Sequence, residues 1–336
     1  NKNNFAQKGT IAVEKTGEVF FGVSVSGGID ESGNELPIIY QPQYEKRGLP
    51  GAVYEIVAAE DIITPDGTVR NHKGDVVDTI ITDENGIAMS CELYLGEYEV
   101  REVTAPNGMV LNPESRFVEL VYAGQNVAVT ETATSFENER QKVEISLVKS
   151  IEQNERFDIG TNGEMKNITF GLFAAEEIVS ASGTSIPANG LIEIVSLNED
   201  GTATIKTDLP YGRYYVQEIA TDSHYKLSDA KYPIIFEYVG QDTAVVKIAV
   251  NDGKKKKNDL IYGSVSGKKV DEDGNALGGA MIGLFRTDDG EFTKENALMT
   301  TTSAEDGSFS FENIPCGTWY VREIEQPTGF VPDDTI

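Results

Sequence analysis

Cysteine, histidine and long apolar runs are all scarce in this sequence. Of its 336 residues two are cysteine, Cys91 and Cys316, and two are histidine. Two cysteines so far apart exclude the disulfide framework that staples many small secreted domains. No apolar run reaches the length of about 18 residues that a membrane crossing needs. The sequence therefore predicts no membrane span. It leaves open which other crosslink could stabilise its domains in place of disulfides.

Basic residues are also few. The chain has 28 Lys and Arg against 55 Asp and Glu, a net charge of −27. That sign argues against nucleic acid as a partner, because phosphates require positive charge, and equally against anionic membranes. A solvated acidic surface is the simplest interpretation. With 39% hydrophobic and 25% charged residues, the chain has enough apolar content for packed cores.

Helical periodicity is hard to find, whereas turn residues recur throughout, with 33 Gly and 12 Pro. Many short strands punctuated in this way are typical of β-sandwiches. We therefore predict an all-β fold. The sequence has neither an initiator methionine nor a signal peptide, so we expect it to be a piece of a longer protein.

One segment occurs three times, which indicates tandem domains of ordinary size. Each copy carries a glutamate on an otherwise apolar strand pattern. The copies are YEVREVTAPNGMV (98–110), YYVQEIATDSHYKL (214–227) and WYVREIEQPTGFV (319–331), with Glu102, Glu218 and Glu323. An Asp-Gly or Asn-Gly turn signal precedes each copy, at 83–86, 198–201 and 304–307. A turn, a strand and then the glutamate strand predict a hairpin.

Two further elements repeat. A second strand pattern recurs as GAVYEIVAAED (51–61), NITFGLFAAEE (167–177) and GAMIGLFRTDD (279–289). A third phrase, running from Asn to Lys, recurs as NFAQKGTIAVEK (4–15), NERQKVEISLVK (138–149) and NDLIYGSVSGKK (258–269). These repeats predict three domains, which we call unit 1 (5–140), unit 2 (141–259) and unit 3 (260–336).

The units differ in two respects. Unit 1 carries an insertion at about 17–50, which we interpret as an extra hairpin or loop. Unit 3 is expected to be incomplete at its C-terminal end, since the sequence reaches Ile336 before any last strand. By the same repeat, Asn4 is expected to be the tail of a preceding domain.

Polar residues fall on faces that should be buried. Strand side chains alternate, so Glu102 shares the face of Tyr98 and Val100. In the first strand of each unit a lysine continues the apolar face. The lysines are Lys15 after Ile11 and Val13, Lys149 after Val143, Ile145 and Leu147, and Lys269 after Ile261 and Val265. In the last strand of unit 1, Asn138 shares the face of Phe136.

The residues alone permit two explanations. One is a buried Lys–Glu ion pair with an Asn hydrogen-bonded nearby, or lysines that extend from strand ends into water. The other is chemistry, because burial lowers the pKa of a lysine and raises that of a glutamate. A neutral amine could then attack the Asn side-chain carbonyl while Glu relays protons and ammonia leaves. An isopeptide bond would join the first strand to the last.

The repeated glutamate segment resembles the E box of Gram-positive pilins and surface adhesins, Y-x-L-x-E-T-x-A-P-x-G-Y. The matching residues are Tyr98, Val100, Glu102, Ala105, Pro106, Gly108 and Met109 in unit 1, and Trp319, Val321, Glu323, Pro327, Gly329 and Phe330 in unit 3. Unit 2 departs from the pattern after Glu218, with Thr221 and Asp222 near the Ala-Pro position. Nearly the whole chain is similar to tandem Cna B-type, prealbumin-like (SpaA-like) β-sandwich domains, which implies an elongated array.

The resemblance also implies site residues. In that family a first-strand lysine joins an Asn or Asp of the last strand, promoted by the E-box glutamate. By position this implies Lys15–Glu102–Asn138 in unit 1 and Lys149–Glu218–Asn258 in unit 2, with Asn251 as a rival to Asn258. Unit 3 offers Lys269 and Glu323. No cofactor is implied.

The implied role is structural: a stalk, adhesin or pilin-like protein on the outside of a Gram-positive cell wall, attached covalently to wall or pilus through parts outside this chain. A hydrolase is disfavoured, because neither His72 nor His224 has a repeated nucleophile beside it. The DEDGN stretch (271–275) lacks the glycine position of a calcium loop. The alternative is a ligand-binding adhesin module, in which Tyr40 and Tyr44 recognise a host protein or glycan; they could equally cover an open sheet edge.

Overall fold

The computed structural model describes residues 4–287 and 290–331. This part of the chain consists of strands and two short 3₁₀ helices, Glu164–Asn167 and Val250–Gly253, which confirms the predicted all-β class. No helix in the described ranges has the length and apolar character needed to cross a membrane.

The strands are numbered in chain order. Unit 1 contains β1 Lys8–Ile29, β2 Glu35–Gly48, β3 Val53–Ala58, β4 Ile62–Ile63, β5 Val69–Asn71, β6 Val76–Ile81, β7 Ile87–Met89, β8 Leu93–Tyr94, β9 Gly96–Thr104, β10 Arg116–Leu120 and β11 Val129–Asn138. Unit 2 contains β12 Lys142–Ile151, β13 Thr169–Ala174, β14 Ile178–Val179, β15 Ser185–Ile186, β16 Leu191–Ser196, β17 Thr202–Ile205, β18 Gly212–Ala220, β19 Lys231–Phe236, β20 Val245–Ala249 and β21 Lys256–Asn258. Unit 3 contains β22 Tyr262–Lys268, β23 Met281–Phe285, β24 Met299–Thr302, β25 Ser308–Pro315 and β26 Tyr320–Glu325.

Unit 1 is built of two sheets. In the first, β1 pairs in parallel with β11 and antiparallel with β2, β7 and β8. The second has the order β10-β9-β3-β6. Apolar side chains from the inward faces of both sheets form the core, and Ile11, Tyr54, Tyr98 and Phe136 are each at most 2% exposed. The E-box strand β9 and the first strand β1 therefore lie in sheets on opposite sides of the core. Because strand side chains alternate, every second side chain of each strand points into that core.

Units 2 and 3 repeat this plan. In unit 2, β12 pairs in parallel with β20 and β21 and antiparallel with β17, and the facing strands follow the order β16-β13-β18-β19. In unit 3, β22 pairs with β25, and β23 lies between β24 and β26. In units 1 and 2 the lysine strand and the glutamate strand therefore belong to different sheets. In unit 3, Lys269 directly follows β22, which pairs with β25, whereas Glu323 lies on β26, which pairs with β23.

That arrangement contradicts the predicted hairpin before each E-box strand. The turn itself forms, with the Gly86 N–H donating to the Asp83 carbonyl at 2.9 Å. However, β7 then pairs with β1, whereas β9 pairs with β3 and β10. The prediction was wrong because the chain crosses from one sheet to the other between β7 and β9, a tertiary feature that local spacing does not encode.

The predicted face of the first strand of unit 3 was also wrong at one position. Val265 is 37% exposed. Within the described residues β22 pairs with β25 alone, whereas β1 and β12 are each also flanked by a parallel last strand, so side chains of β22 are less covered by a neighbouring strand.

The insertion of unit 1 is a long hairpin, as expected. Residues 16–29 of β1 pair with residues 35–48 of β2, with Phe20 opposite Tyr44. The hairpin projects onto unit 2, where Phe20, Val23 and Tyr40 pack against the unit 2 core. Its backbone also bonds to unit 2, with the Val23 N–H donating to Thr184 Oγ1 at 3.1 Å.

The two tyrosines of the hairpin lie at the contact between units 1 and 2. The Tyr44 hydroxyl donates to the Asp208 carbonyl of unit 2 at 3.1 Å, and the Arg140 guanidinium lies 3.4 Å from the centre of the Tyr44 ring. Arg140 also pairs with the Asp208 carboxylate, and burial raises the pKa of the Tyr44 hydroxyl. Tyr40 and Tyr44 thus lie in the contact between the two units, where β2 pairs with the edge strand β16 of unit 2 at Ile39 and Leu191, which agrees with the expected cover of a sheet edge.

Candidate functional site

Three strands bring the predicted polar residues of unit 1 together. Lys15 lies on β1 opposite Phe136 of β11, and Asn138 is two residues further along β11, so its side chain returns to the same face. Glu102 lies near the end of β9 in the facing sheet. All three are buried, at 0% exposed for Lys15, 6% for Glu102 and 3% for Asn138.

The three side chains contact one another directly. Lys15 Nζ donates to Asn138 Oδ1 and lies 2.9 Å from Glu102 Oε1. Asn138 Nδ2 donates to both carboxylate oxygens of Glu102 at 3.0 Å. Glu102 therefore touches both the amine and the amide nitrogen, and the amide oxygen points at the amine.

The surroundings of this cluster are apolar and aromatic. Lys15 Nζ lies 5.8 Å from the ring centres of both Tyr54 and Phe136. Burial lowers the pKa of the Lys15 amine, although Glu102 opposes that shift. Burial together with the Glu102 charge raises the pKa of the Tyr54 hydroxyl. Burial thus shifts the Lys15 equilibrium toward the neutral amine, the form that acts as a nucleophile.

Unit 2 repeats the arrangement with small differences. Lys149 Nζ lies 2.6 Å from both Asn258 Oδ1 and Glu218 Oε2. Asn258 Nδ2 donates to Glu218 Oε1 at 2.6 Å. Asn258 is 3% exposed, whereas its rival Asn251 is exposed and donates to the Lys254 carbonyl. The structure therefore brings Asn258, and not Asn251, to the lysine.

Two contacts at these sites were missed in the sequence. Thr221 Oγ1 accepts a hydrogen bond from Asn258 Nδ2 at 3.1 Å, and the matching position of unit 1 is Ala105. The backbone N–H of Asn112 donates to Glu102 Oε2 at 2.8 Å. The contact of Thr221 could have been predicted, because Thr221 departs from the E-box pattern. The contact of Asn112 could not, because a backbone N–H is present in almost every residue type.

In unit 3 the structure brings together the two residues that the sequence offered. Lys269 Nζ lies 3.3 Å from Glu323 Oε2, with the lysine side chain 16% exposed and the glutamate side chain 7%. This pair is more accessible to solvent than its counterparts in units 1 and 2.

Other kinds of site find little support in the described residues. These ranges contain no cluster of three or more His, Cys, Asp or Glu side chains that could hold a metal ion. Cys91 and Cys316 are both exposed and unpaired with each other. The Asp271–Asn275 stretch forms a turn in which the Gly274 N–H donates to the Asp271 carbonyl at 3.1 Å.

Comparison with known proteins bears on the fold. The family model of the SpaA-type prealbumin-like fold domain matches the chain three times, over residues 38–134, 152–254 and 263–336. No curated protein matches the chain. Together the three matches cover most of the sequence.

Several solved structures are similar. The Bacillus anthracis TIE protein matches with a TM-score of 0.58 at 18% identity, over 97% of this chain and 46% of that one, so the chain spans less than half of that protein. The Bacillus cereus major pilin subunit BcpA matches with a TM-score of 0.32 at 16% identity, over 98% and 91%. A streptococcal ancillary pilin matches with a TM-score of 0.28 at 18% identity, over 97% and 92%.

Proposed function

Since the chain belongs to the SpaA-type prealbumin-like fold family, we propose that it is a structural, pilin-like or stalk protein of a Gram-positive cell surface. Its units, at 5–140, 141–259 and 260–336, are stabilised by isopeptide bonds that they form in themselves. The bonds are Lys15–Asn138 in unit 1 and Lys149–Asn258 in unit 2, promoted by Glu102 and Glu218. In unit 3 we assign the corresponding roles to Lys269 and Glu323.

One observation carries this proposal. In each of two units a buried lysine amine contacts the oxygen of an Asn amide, while one carboxylate contacts both the amine and the amide nitrogen. A structural ion pair needs only the Lys and the Glu. The carboxamide at the same place in both units supplies the carbon that an amine can attack.

The reaction follows from these contacts. Glu102 takes a proton from Lys15 Nζ, and the neutral amine forms a bond to Cγ of Asn138. The carboxyl of Glu102 then passes its proton to Nδ2 and takes a second proton from Nζ. The Cγ–Nδ2 bond breaks and ammonia leaves, while the surplus proton stays on Glu102 or departs as ammonium. No other reactant is consumed, so the unit acts only on itself and is not an enzyme for external substrates.

The intact mass of the purified chain tests this proposal. We expect the mass to fall short of the sequence mass by two ammonia molecules, one for each of units 1 and 2. Peptide mapping should recover branched peptides that join Lys15 to Asn138 and Lys149 to Asn258. A mass equal to that of the unmodified sequence would overturn the proposal.

The structural role is preferred over ligand binding for a specific reason. The ligand-binding alternative depended on Tyr40 and Tyr44, and both lie against unit 2. We propose further that attachment to cell wall or pilus involves parts outside this sequence. Labelling of intact cells with an antibody to this chain, with and without wall-digesting enzyme, tests that location.

A further inference from the structure

We infer that the free pole of unit 1, formed by Tyr122, Gln125 and the neighbouring cleft, is a docking surface for the E-box turn of another prealbumin-like unit. The inference comes from a comparison of two loops within the chain. It does not depend on the proposed isopeptide bonds.

The contact between units 1 and 2 defines what such a surface looks like. The segment that follows the E-box glutamate of unit 1, residues 103–112, lies against unit 2, and we call it the E-box tail. Gln241 of unit 2 holds it through its side chain, since Oε1 accepts from the Ala105 N–H at 2.9 Å and Nε2 donates to the Val103 carbonyl at 3.4 Å. The Leu111 N–H donates to the Gln241 carbonyl at 3.0 Å.

Two tyrosines of unit 2 complete this contact. The Tyr238 hydroxyl donates to the Met109 carbonyl at 3.1 Å, and the Tyr211 hydroxyl donates to the Gly108 carbonyl at 2.9 Å. Every one of these bonds goes to the backbone of the tail. The surface therefore recognises the shape of an E-box turn and not its particular side chains.

Unit 1 carries the same loop at its own pole. Tyr122-Ala-Gly-Gln125 corresponds in sequence to Tyr238-Val-Gly-Gln241. Gly124 and Gly240 both have left-handed φ, at 94° and 112°. In each loop this glycine carbonyl accepts from the N–H three residues later, at 3.3 and 3.5 Å.

Each loop is also held by an equivalent glutamine from the start of its unit. In unit 2, Gln141 Nε2 donates to the Gly240 carbonyl at 3.1 Å and Oε1 accepts from the Val239 N–H at 3.1 Å. In unit 1, Gln7 Nε2 donates to the Gly124 carbonyl at 3.2 Å and Oε1 accepts from the Ala123 N–H at 2.9 Å. The two loops are thus built and braced alike.

The difference lies in what covers them. Tyr238 and Gln241 are partly buried by the E-box tail, whereas Tyr122 is 62% exposed and Gln125 is exposed. A cleft of about 820 Å³ opens beside them, lined also by Phe5, Ile63 and Leu95. Phe5 is 88% exposed and Ile63 is 56% exposed. A partner that docks here would therefore bury apolar surface of both side chains.

The occupant follows from the match. A surface that repeats the Tyr–Gln loop of unit 2 offers the same hydroxyl, amide donor and amide acceptor to the same backbone groups. Tyr211 is replaced by Leu95, which removes one donor and adds apolar contact. The E-box turn of another prealbumin-like unit supplies two carbonyls and an N–H to the three groups that remain.

Photocrosslinking tests this docking. A copy of residues 4–137 is placed directly before Asn4, so that Asn4 follows the copied unit as Asn138 follows unit 1. Tyr122 of the original unit is replaced by p-benzoylphenylalanine. Because the tether raises the effective concentration of the copied tail, we expect adducts between the Tyr122 position and residues 103–112, with Gln125→Ala lowering their yield several-fold.

The parent chain supplies the matched control. The same photoreactive residue at Tyr238 should capture residues 103–112 of unit 1, and Gln241→Ala should lower that yield in the same way. A second arm uses the unextended chain with the probe at Tyr122 at high concentration, where adducts should map to residues 324–331 of another copy. Absence of E-box adducts from both arms while the Tyr238 control works, adducts to other segments instead, or no effect of Gln125→Ala would each overturn the inference.

Discussion

Lys15 and Asn138 are 123 residues apart in sequence, yet the amine of one donates to the amide oxygen of the other across two parallel strands. The residue directly opposite Lys15 is Phe136, and the amide comes from two residues further on. Lys149 shows the same offset, since it lies opposite Lys256 and contacts Asn258. The last strands of the two units differ in sequence, yet the offset of two residues is the same. The contact therefore follows from the parallel pairing of the first and last strands in this fold.

Glu102→Gln should abolish crosslinking in unit 1 while leaving unit 2 crosslinked. The substitution keeps the size of the side chain but removes the group that exchanges protons with Lys15 and Asn138. Intact mass should then fall short of the sequence mass by one ammonia instead of two. Glu97→Gln, an exposed position on the same strand, is the control and should leave both losses in place. Two ammonia losses in the Glu102→Gln protein would contradict the assigned role.

Asn258→Ala should remove the crosslink of unit 2, whereas Asn251→Ala should retain it. The reason is that only Asn258 contacts Lys149, while Asn251 bonds to the backbone of Lys254. Peptide mapping distinguishes the two variants by the presence of the branched peptide. A branched peptide that persists in Asn258→Ala would show that another residue reacts with Lys149.

Asn138→Ala should lower the stability of unit 1 substantially. A crosslink between residues 123 apart restricts the unfolded chain much as a disulfide does, which corresponds to roughly 4–5 kcal/mol in the chain-entropy model. Denaturant unfolding of the parent and the variant measures the difference. Equal midpoints and slopes for the two proteins would argue that no bond exists in unit 1.

The same variant should show a pH dependence that the parent lacks. In Asn138→Ala, Lys15 remains an amine, and burial lowers its pKa from 10.5. Between the lowered pKa and 10.5 the unfolded chain binds more protons than the folded chain, so the free energy of unfolding rises with pH through that alkaline window. In the parent, the Lys15 nitrogen would be part of an amide and would not titrate. Unfolding curves at a series of alkaline pH values should therefore diverge.

Gln241→Ala should loosen the E-box tail of unit 1. Gln241 holds the Ala105 N–H and the Val103 carbonyl, so its loss should speed hydrogen exchange of the amides in residues 103–112. Gln125→Ala, at the matching position of unit 1, should leave that exchange unchanged. Exchange rates that respond equally to both variants would mean that the effect is not specific to the contact between the units.

The Lys–Glu–Asn clusters of units 1 and 2 were largely predictable from sequence, because the face on which each side chain lies follows from alternation along its own strand. Alternation along β1 and β9 places Lys15 and Glu102 on inward faces whatever the rest of the chain does, and both are buried. Asn138 follows from alternation in the same way. The partner in unit 2 was ambiguous in sequence, because Asn251 and Asn258 flank a lysine-rich stretch and only tertiary pairing with β12 separates them.

Other features lay beyond local pattern. The strand β7 joins the sheet of β1 because of the packing of two sheets, which turn spacing does not report. Tyr44 was noted in the sequence as one of two tyrosines in the insertion, but its partners Arg140 and Asp208 lie far along the chain. The exposure of Val265 depends on which strands flank β22, and the residues of β22 do not report its neighbours.

The parallel pairing of first and last strands has a mechanical consequence. A pull on the chain enters unit 1 through the start of β1 at Lys8 and leaves through the end of β11 at Asn138. In a crosslinked unit the covalent route runs from Lys8 to Lys15, across the bond, and out at Asn138. Residues 16–137 then lie outside the path of the force, so a unit under tension would transmit load without unfolding.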